Sequence, residues 1–290
     1  MQDEIVARLA GALNAQLVAA EARRAERTPT PDSVDLHFQG LAWFNKGATP
    51  ENVARARTFS DLALSADPDN VDALINSARA DVVEGSLSFV TNPMAAFAAA
   101  EAKLTKALSS VPDHARAHMY LGFVEIVTRR APGGIPRCEH ALELDRNLAN
   151  AHSFVGLGQI FVGHAKEAEA HIDEALRLSP RDTMAYSWMT NVGLAKFHLS
   201  NYEQAGTWFR RAIEANRNYP LPHLVLGSAL AQLGRFDEAR SAVKAGLALN
   251  PTFTVSRARA LWTAMSDNSA YLSGLEPVFE GLRKVGVPEQ

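Results

Sequence analysis

The sequence has a single cysteine in 290 residues, Cys138. One thiol excludes an intramolecular disulfide and every metal site built from several cysteines, and it fits a reducing cytoplasm. No apolar run approaches the ~18 residues that a membrane-spanning helix needs. The opening stretch MQDEIVARLAGALNAQL is acidic where a signal peptide is basic. The chain therefore reads as cytoplasmic, with no membrane partner. Positive charge is also thin: 29 Lys and Arg stand against 32 Asp and Glu, a net charge of -3, and the cations are scattered. Nucleic acid is excluded as a partner because the basic footprint it requires is missing.

Motifs that carry chemistry are equally scarce. GLGQIFVG (Gly156 to Gly163) has glycines, but neither G-x-G-x-x-G spacing nor a following Lys-Ser/Thr, so they read as packing residues. His114 and His118 lie one helical turn apart, yet the Glu of H-E-x-x-H is absent and His118 recurs in register with other histidines. Cys138 and His140 are two apart on a predicted helix and point to different faces. No Ser/His/acid set stands out. The expectation is a protein with no cofactor, no metal and no enzymatic activity of its own.

Repetition is what the sequence does have. GHAKEAEAHIDEALRLSP (Gly163 to Pro180), SNYEQAGTWFRRAIEANR (Ser200 to Arg217) and GRFDEARSAVKAGLALNP (Gly234 to Pro251) are variations on one phrase. A small residue near the end of each phrase falls at Ala63, Ala107, Ala141, Ala175, Ala212 and Gly246, at intervals of 44, 34, 34, 37 and 34. A second ladder runs one helix earlier through Gly40, Ala78, Gly122, Gly156, Thr190 and Gly227. Two phased ladders mean two helices per unit. In one such unit Ala168, Ile172, Ala175 and Leu176 form an apolar stripe that a lone hairpin cannot cover, so copies must stack. Glycine and alanine at the ladder positions permit close helix crossing. Pro68, Pro112, Pro180 and Pro251 end units, and Arg146 and Arg217 take that place in two others.

The 34-residue period, small residues at unit positions 8, 20 and 27, the aromatics of NYEQA and RFDEA, and the closing proline resemble the tetratricopeptide repeat family. The resemblance implies an all-α, right-handed superhelical solenoid of about six hairpins over residues 33–252, with an N-terminal helix and linker (1–32) and C-terminal capping helices (253–290). Position 4 of the unit, often Trp in the family, is Leu74, His118, His152, Tyr186 and His223, which predicts looser packing there. Extra residues fall in the first unit (KGATPENV), the second (EGSLSFVTNPMAAF) and the fifth, and read as longer helices or loops. Before the repeats, Ile5, Leu9, Leu13 and Leu17 predict a helical stripe. After them, Leu261, Trp262, Leu275, Val278, Phe279 and Leu282 are placed to cover the last repeat. QDEIVARLA, DLHFQGLAWFNKG and ALSADPDNVDALINSARADV also resemble the C-terminal repeat region of bacterial class III adenylate/guanylate cyclases and related signalling proteins. That likeness implies the regulatory half of a larger polypeptide, with a cyclase or regulator module upstream and no catalysis of its own.

In this family, first helices line the concave surface, with unit positions 2, 5, 9, 12 and 13 facing it. Here these give His37, Leu41, Phe44 and Asn45, then Arg79, Val82 and Val83, then Arg116, Met119, Phe123, Ile126 and Val127. The later units add Asn150, Leu157, Ile160 and Phe161, and then Met184, Ser187 and Asn191. The Lys/Asn/Asn/Lys/Arg set with which chaperone-binding members clamp a carboxylate is mostly replaced by Leu, Phe, Ile or Val, which argues against such a clamp. The implied function is a scaffold that holds a protein or peptide in an apolar groove. Expected contact residues are Arg79, Arg116, Met119, Phe123, Ile126, Val127, Leu157, Ile160, Phe161, Met184 and Asn191.

Overall fold

A computed structural model describes residues 16–87 and 90–290, and among these every regular element is helical. Residues 16–25 are helical and are followed by α1 (Ser33–Phe44), α2 (Pro50–Ala66), α3 (Val71–Ser86), α4 (Pro93–Ser110) and α5 (Ala115–Glu125). A π-helical segment (Ile126–Arg130) leads into α6 (Ala131–Leu144), then α7 (Ala149–Phe161), α8 (Ala165–Leu178), α9 (Ala185–His198) and α10 (Tyr202–Ala215). The chain closes with α11 (Pro220–Gln232), α12 (Phe236–Leu249), α13 (Val255–Thr263) and α14 (Ser269–Lys284). This is the tetratricopeptide-type succession of helical hairpins. The expected second-unit insertion lengthens α3 and α4 to 16 and 18 residues.

The chain forms two compact units, one from Met1–Val124 with Pro136–Ala151, the other from Glu125–Ile135 with His152–Gln290. In the first, α1 starts with a capping box in which the Asp35 amide donates to Asp32 and the Asp35 carboxylate accepts from the Asp32 amide. Thr49, Asn70 and Asn92 cap α2, α3 and α4 through side-chain oxygens, with Pro50 and Pro93 at the first turn. Of the predicted N-terminal stripe, Ile5, Leu9 and Leu13 lie outside the described residues. Leu17 is 55% exposed, and Val18, Ala22 and Ala25 are buried instead. The helix at 16–25 thus turns a face one residue out of phase with the expected one.

The second unit shows how one hairpin is made three times. The first helices α7, α9 and α11 each end in a left-handed residue: Gly163 (φ 84°), Ser200 (φ 59°) and Gly234 (φ 74°). The amide after each donates five residues back: His164 to Gln159, Asn201 to Lys196 and Arg235 to Leu230, at 2.8–2.9 Å. This is the Schellman closure, which satisfies carbonyls left open at a helix end. Each first helix then lies against its second helix at a glycine: Gly156 on Ile172, Gly193 on Phe209, Gly227 on Val243.

These pairs correct the repeat ladder. Gly193, not Thr190, is the structural equivalent of Gly156 and Gly227, so the three extra residues of the fifth unit lie before α9, in the long connection after Leu178. Thr190 sits elsewhere on the helix, where its hydroxyl donates to the Tyr186 carbonyl. The fifth unit's predicted contact residues Met184, Ser187 and Asn191 therefore stand three residues out of register.

Candidate functional site

The first helices carry the expected contact positions, and the two units treat them differently. In the first unit a polar link crosses three first helices. The Asn76 amide donates to His37 Nδ1 at 3.0 Å, and Arg116 Nη2 donates to Asn76 Oδ1 at 3.0 Å. Accepting at Nδ1 holds His37 neutral, and burial pushes its pKa below the ordinary value. Asp72 lies beside this link, its pKa held down chiefly by His114, whose Nε2 lies 3.7 Å from its carboxylate. Next to the link, Arg79 covers the Phe44 ring at 4.2 Å. Sequence reasoning assigned Arg79, Arg116 and His37 to this face one by one. It missed Asn76, which is invisible to hydropathy patterns because its role is to join its neighbours.

The apolar part of the predicted surface is a core. Met119 and Phe123 are buried, Phe123 meeting the Phe97 ring of α4 edge-on at 6.4 Å. Ile126, Val127, Ile160 and Phe161 are buried as well. Ile126 and Ile135 press on Gly158, where a Cβ would fall 2.6 Å from Ile135. These six residues do not line an open groove. Arg79, Arg116, Leu157, Met184 and Asn191 remain half-buried.

In the second unit the chain covers its own contact positions. With Gly193 setting the register, position 13 of α7, α9 and α11 is Phe161, His198 and Gln232, and all three touch α14. Tyr271 packs on Phe161 at 5.0 Å and stacks on His198 at 5.4 Å, while the Gln232 amide donates to the Pro277 carbonyl at 2.6 Å. Ser228, at position 9 of α11, donates to the Val278 carbonyl at 2.9 Å. The loop before α14 is tied down too, by Ser266 to the Phe161 carbonyl, Asn268 to the Val162 carbonyl, and an ion pair between Arg129 and Asp267. Gly274 and Gly281 let the helix lie directly on His198 and Ser228. The C-terminal segment therefore covers more than the last repeat: it reaches three successive first helices. Leu275, Val278, Phe279 and Leu282 are buried as expected, whereas Leu261 and Trp262 are half-buried, Trp262 stacking on Phe279.

Position 4 is more specific than the looser packing expected. His118 Nε2–H donates to the Pro112 carbonyl at 2.7 Å, and His223 Nε2–H to the Arg217 carbonyl at 3.1 Å. An imidazole at position 4 thus fastens the inter-repeat turn six residues before it, and burial lowers the pKa of His118. Among the described residues no three His, Cys, Asp or Glu side chains converge on a metal position.

Comparison with known proteins gives the same repeat. Residues 148–220 and 224–264 match the family model described as Tetratricopeptide repeat. A stretch of 118 residues is 28% identical to Protein O-mannosyl-transferase TMTC2 of Homo sapiens, covering 37% of this chain and 14% of that protein. A stretch of 80 residues is 35% identical to Protein STIP1 homolog of Dictyostelium discoideum, covering 28% of this chain and 14% of that protein. The chain thus spans about a seventh of the length of these relatives. Among solved structures, the APC/C hetero-tetramer Cut9-Hcn1 superposes with a TM-score of 0.67 at 15% identity, over 87% of this chain and 46% of that one. At that identity the likeness is one of fold.

Proposed function

We propose that this tetratricopeptide-repeat protein is a protein-interaction scaffold without a catalytic step, and that its partner-accepting surface is the face shared by α1, α3 and α5. The observation that carries this reading is the contrast between the units. Phe161, His198, Ser228 and Gln232 in the second are engaged by α14. The corresponding face of the first unit has no such covering helix among that unit's described residues, and Leu41, Arg79, Val83 and Arg116 are half-exposed there. The polar link through Asn76 fixes Arg116 before any partner arrives, which lowers the ordering cost of binding. The surface is mixed rather than apolar, so the partner is read by charge and hydrogen bonding as well as by burial.

The test is photo-crosslinking in source cells with p-benzoylphenylalanine placed at Leu41 or Val83, and at Leu62 on the outer side of α2 as control. Discrete adducts from the first two positions and none from Leu62 support the assignment. The same pattern from all three positions, or no adduct at either test position, overturns it.

A further inference from the structure

The last turn of α1 carries two consecutive aromatic rings, and both are covered by cations. Lys46 Nζ lies 3.3 Å from the Trp43 ring centroid, with the Arg55 guanidinium 5.9 Å from the same ring. Arg79 lies 4.2 Å over Phe44. Phe44 is buried with Val53, Ala56 and Ala80, while Trp43 and Val83 pack half-buried on that cluster. The rings are thus fixed by the core, and the cations stand at their solvent side.

None of the three cations forms an ion pair among the described residues. The carboxylates close to them on the chain have other partners: Arg57 takes both Asp81 and Glu84, at 2.7 and 2.8 Å, and Lys103 takes Asp81 at 2.6 Å. Glu51, one helical turn from Arg55 on α2, does not pair with it. Elsewhere in the chain the arginines divide: Arg177 pairs with Glu174, Arg235 with Glu238 and Arg259 with Glu276, while Arg211 lies over the Trp208 ring. Three unpaired cations thus gather around the last turn of α1 in a chain of net charge -3.

We infer that this basic–aromatic patch takes an acidic segment of a partner protein, its Asp and Glu side chains meeting Lys46, Arg55 and Arg79 while Trp43 and Val83 receive an apolar residue between them. The inference rests on the scaffold reading above and names the partner's chemistry. A carboxylate matches the forked guanidinium of Arg55 and Arg79, and the ring beneath each cation holds it in place without neutralising its charge. Charge complementarity of this kind speeds association and sets specificity, and it weakens with salt. A polynucleotide fits less well, because three cations give a short footprint against a continuous line of phosphates.

The test is fluorescence anisotropy with a labelled twelve-residue peptide of Asp, Glu and one central Phe, at low and at raised sodium chloride. The comparison probes are its Lys-substituted counterpart and a twelve-nucleotide oligothymidylate. The proteins are the full chain, the triple variant Lys46→Glu/Arg55→Glu/Arg79→Glu, and a control with the same change in net charge, Lys166→Glu/Arg217→Glu/Lys244→Glu, all confirmed as folded by circular dichroism. Expected are saturable, salt-weakened binding of the acidic peptide, at least a tenfold loss in the first triple variant, and under threefold change in the control. Absent binding, equal losses in both variants, or tighter binding of the oligonucleotide overturns the inference. If adducts from Leu41 and Val83 persist in that case, the scaffold reading stands without it.

Discussion

The Tyr271 ring of α14 stacks on the His198 ring of α9 with centroids 5.4 Å apart and 13° between their planes. The Tyr271 hydroxyl donates to the Trp262 carbonyl, so it does not stabilise a charged imidazole. Burial lowers the His198 pKa from 6.5 to about 4. A base whose folded pKa is depressed contributes stability above its unfolded pKa and loses it as the pH falls toward the folded value. The affected window is therefore pH 6.5 down to about 4. At pH 5 the second unit is expected to be about 2 kcal/mol less stable than at pH 7.5 from this group alone. Amide exchange across α14 should quicken over that window, and His198→Phe should flatten the response. An identical pH profile in His198→Phe refutes the role.

Ser200 holds φ at 59° where its counterparts in the neighbouring hairpins are Gly163 and Gly234. A residue with a Cβ is strained in this region and glycine is not. Ser200→Gly should raise stability by about 0.5–1 kcal/mol, read as a shift in the denaturation midpoint at unchanged slope. Arg129, at φ 68° in the turn before α6, makes a useful contrast. Its guanidinium pairs with Asp267, so Arg129→Gly trades relief of strain for loss of an exposed ion pair and should change stability by less.

Two helical glycines should answer alanine in opposite directions. At Gly156 a Cβ would stand 2.6 Å from Ile172 and 2.9 Å from the Ala168 carbonyl, and the backbone atom cannot rotate away. Gly156→Ala is expected to cost about 1–3 kcal/mol by forcing α7 off α8. At Gly133, in the first turn of α6, a Cβ meets nothing within 4 Å. Gly133→Ala should gain up to about 1 kcal/mol from helix propensity. Thermal melts of the two variants separate these effects, and shifts of the same sign would refute the packing role of Gly156.

The repeat was legible because its signals are local: a small residue at each helix crossing and a turn after each first helix. The error at Thr190 has the same origin. A strict 34-residue step lands on a small residue whether or not it faces the partner helix, and only the contact between Gly193 and Phe209 identifies the right one. Six apolar residues of the predicted contact surface are buried for a different reason. A first helix is flanked by its own second helix and by neighbouring elements, so positions such as Phe123 and Ile160 serve the core. That α14 would reach Phe161, 105 residues before Ser266, has no signature in a one-dimensional pattern. The cations around Trp43 were individually readable, but their lack of carboxylate partners depends on where Asp81 and Glu84 fold.

The seam between α14 and α11 gives a direct way to separate the two faces. Gly281 lies on Ser228 so closely that a Cβ would meet its hydroxyl, with its carbonyl at 2.8 Å and its Cα at 2.9 Å. Two of those atoms are backbone, so a larger residue must displace the helix. Displacement breaks the Ser228 and Gln232 hydrogen bonds to the Val278 and Pro277 carbonyls and loosens the burial of Val278, Phe279 and Leu282. Gly281→Val should therefore cost about 1–3 kcal/mol in the second unit, the range for overpacking a well-filled seam. Hydrogen exchange should rise across residues 269–284 and along α11, and remain at its original level across α3, which belongs to the first unit. Photo-crosslinks from Val83 should persist in this variant if partners are taken by the first unit. Their loss together with intact α3 protection would place the working surface under α14 instead, and would make the C-terminal helix a competitor for the partner rather than a fixed part of the second unit.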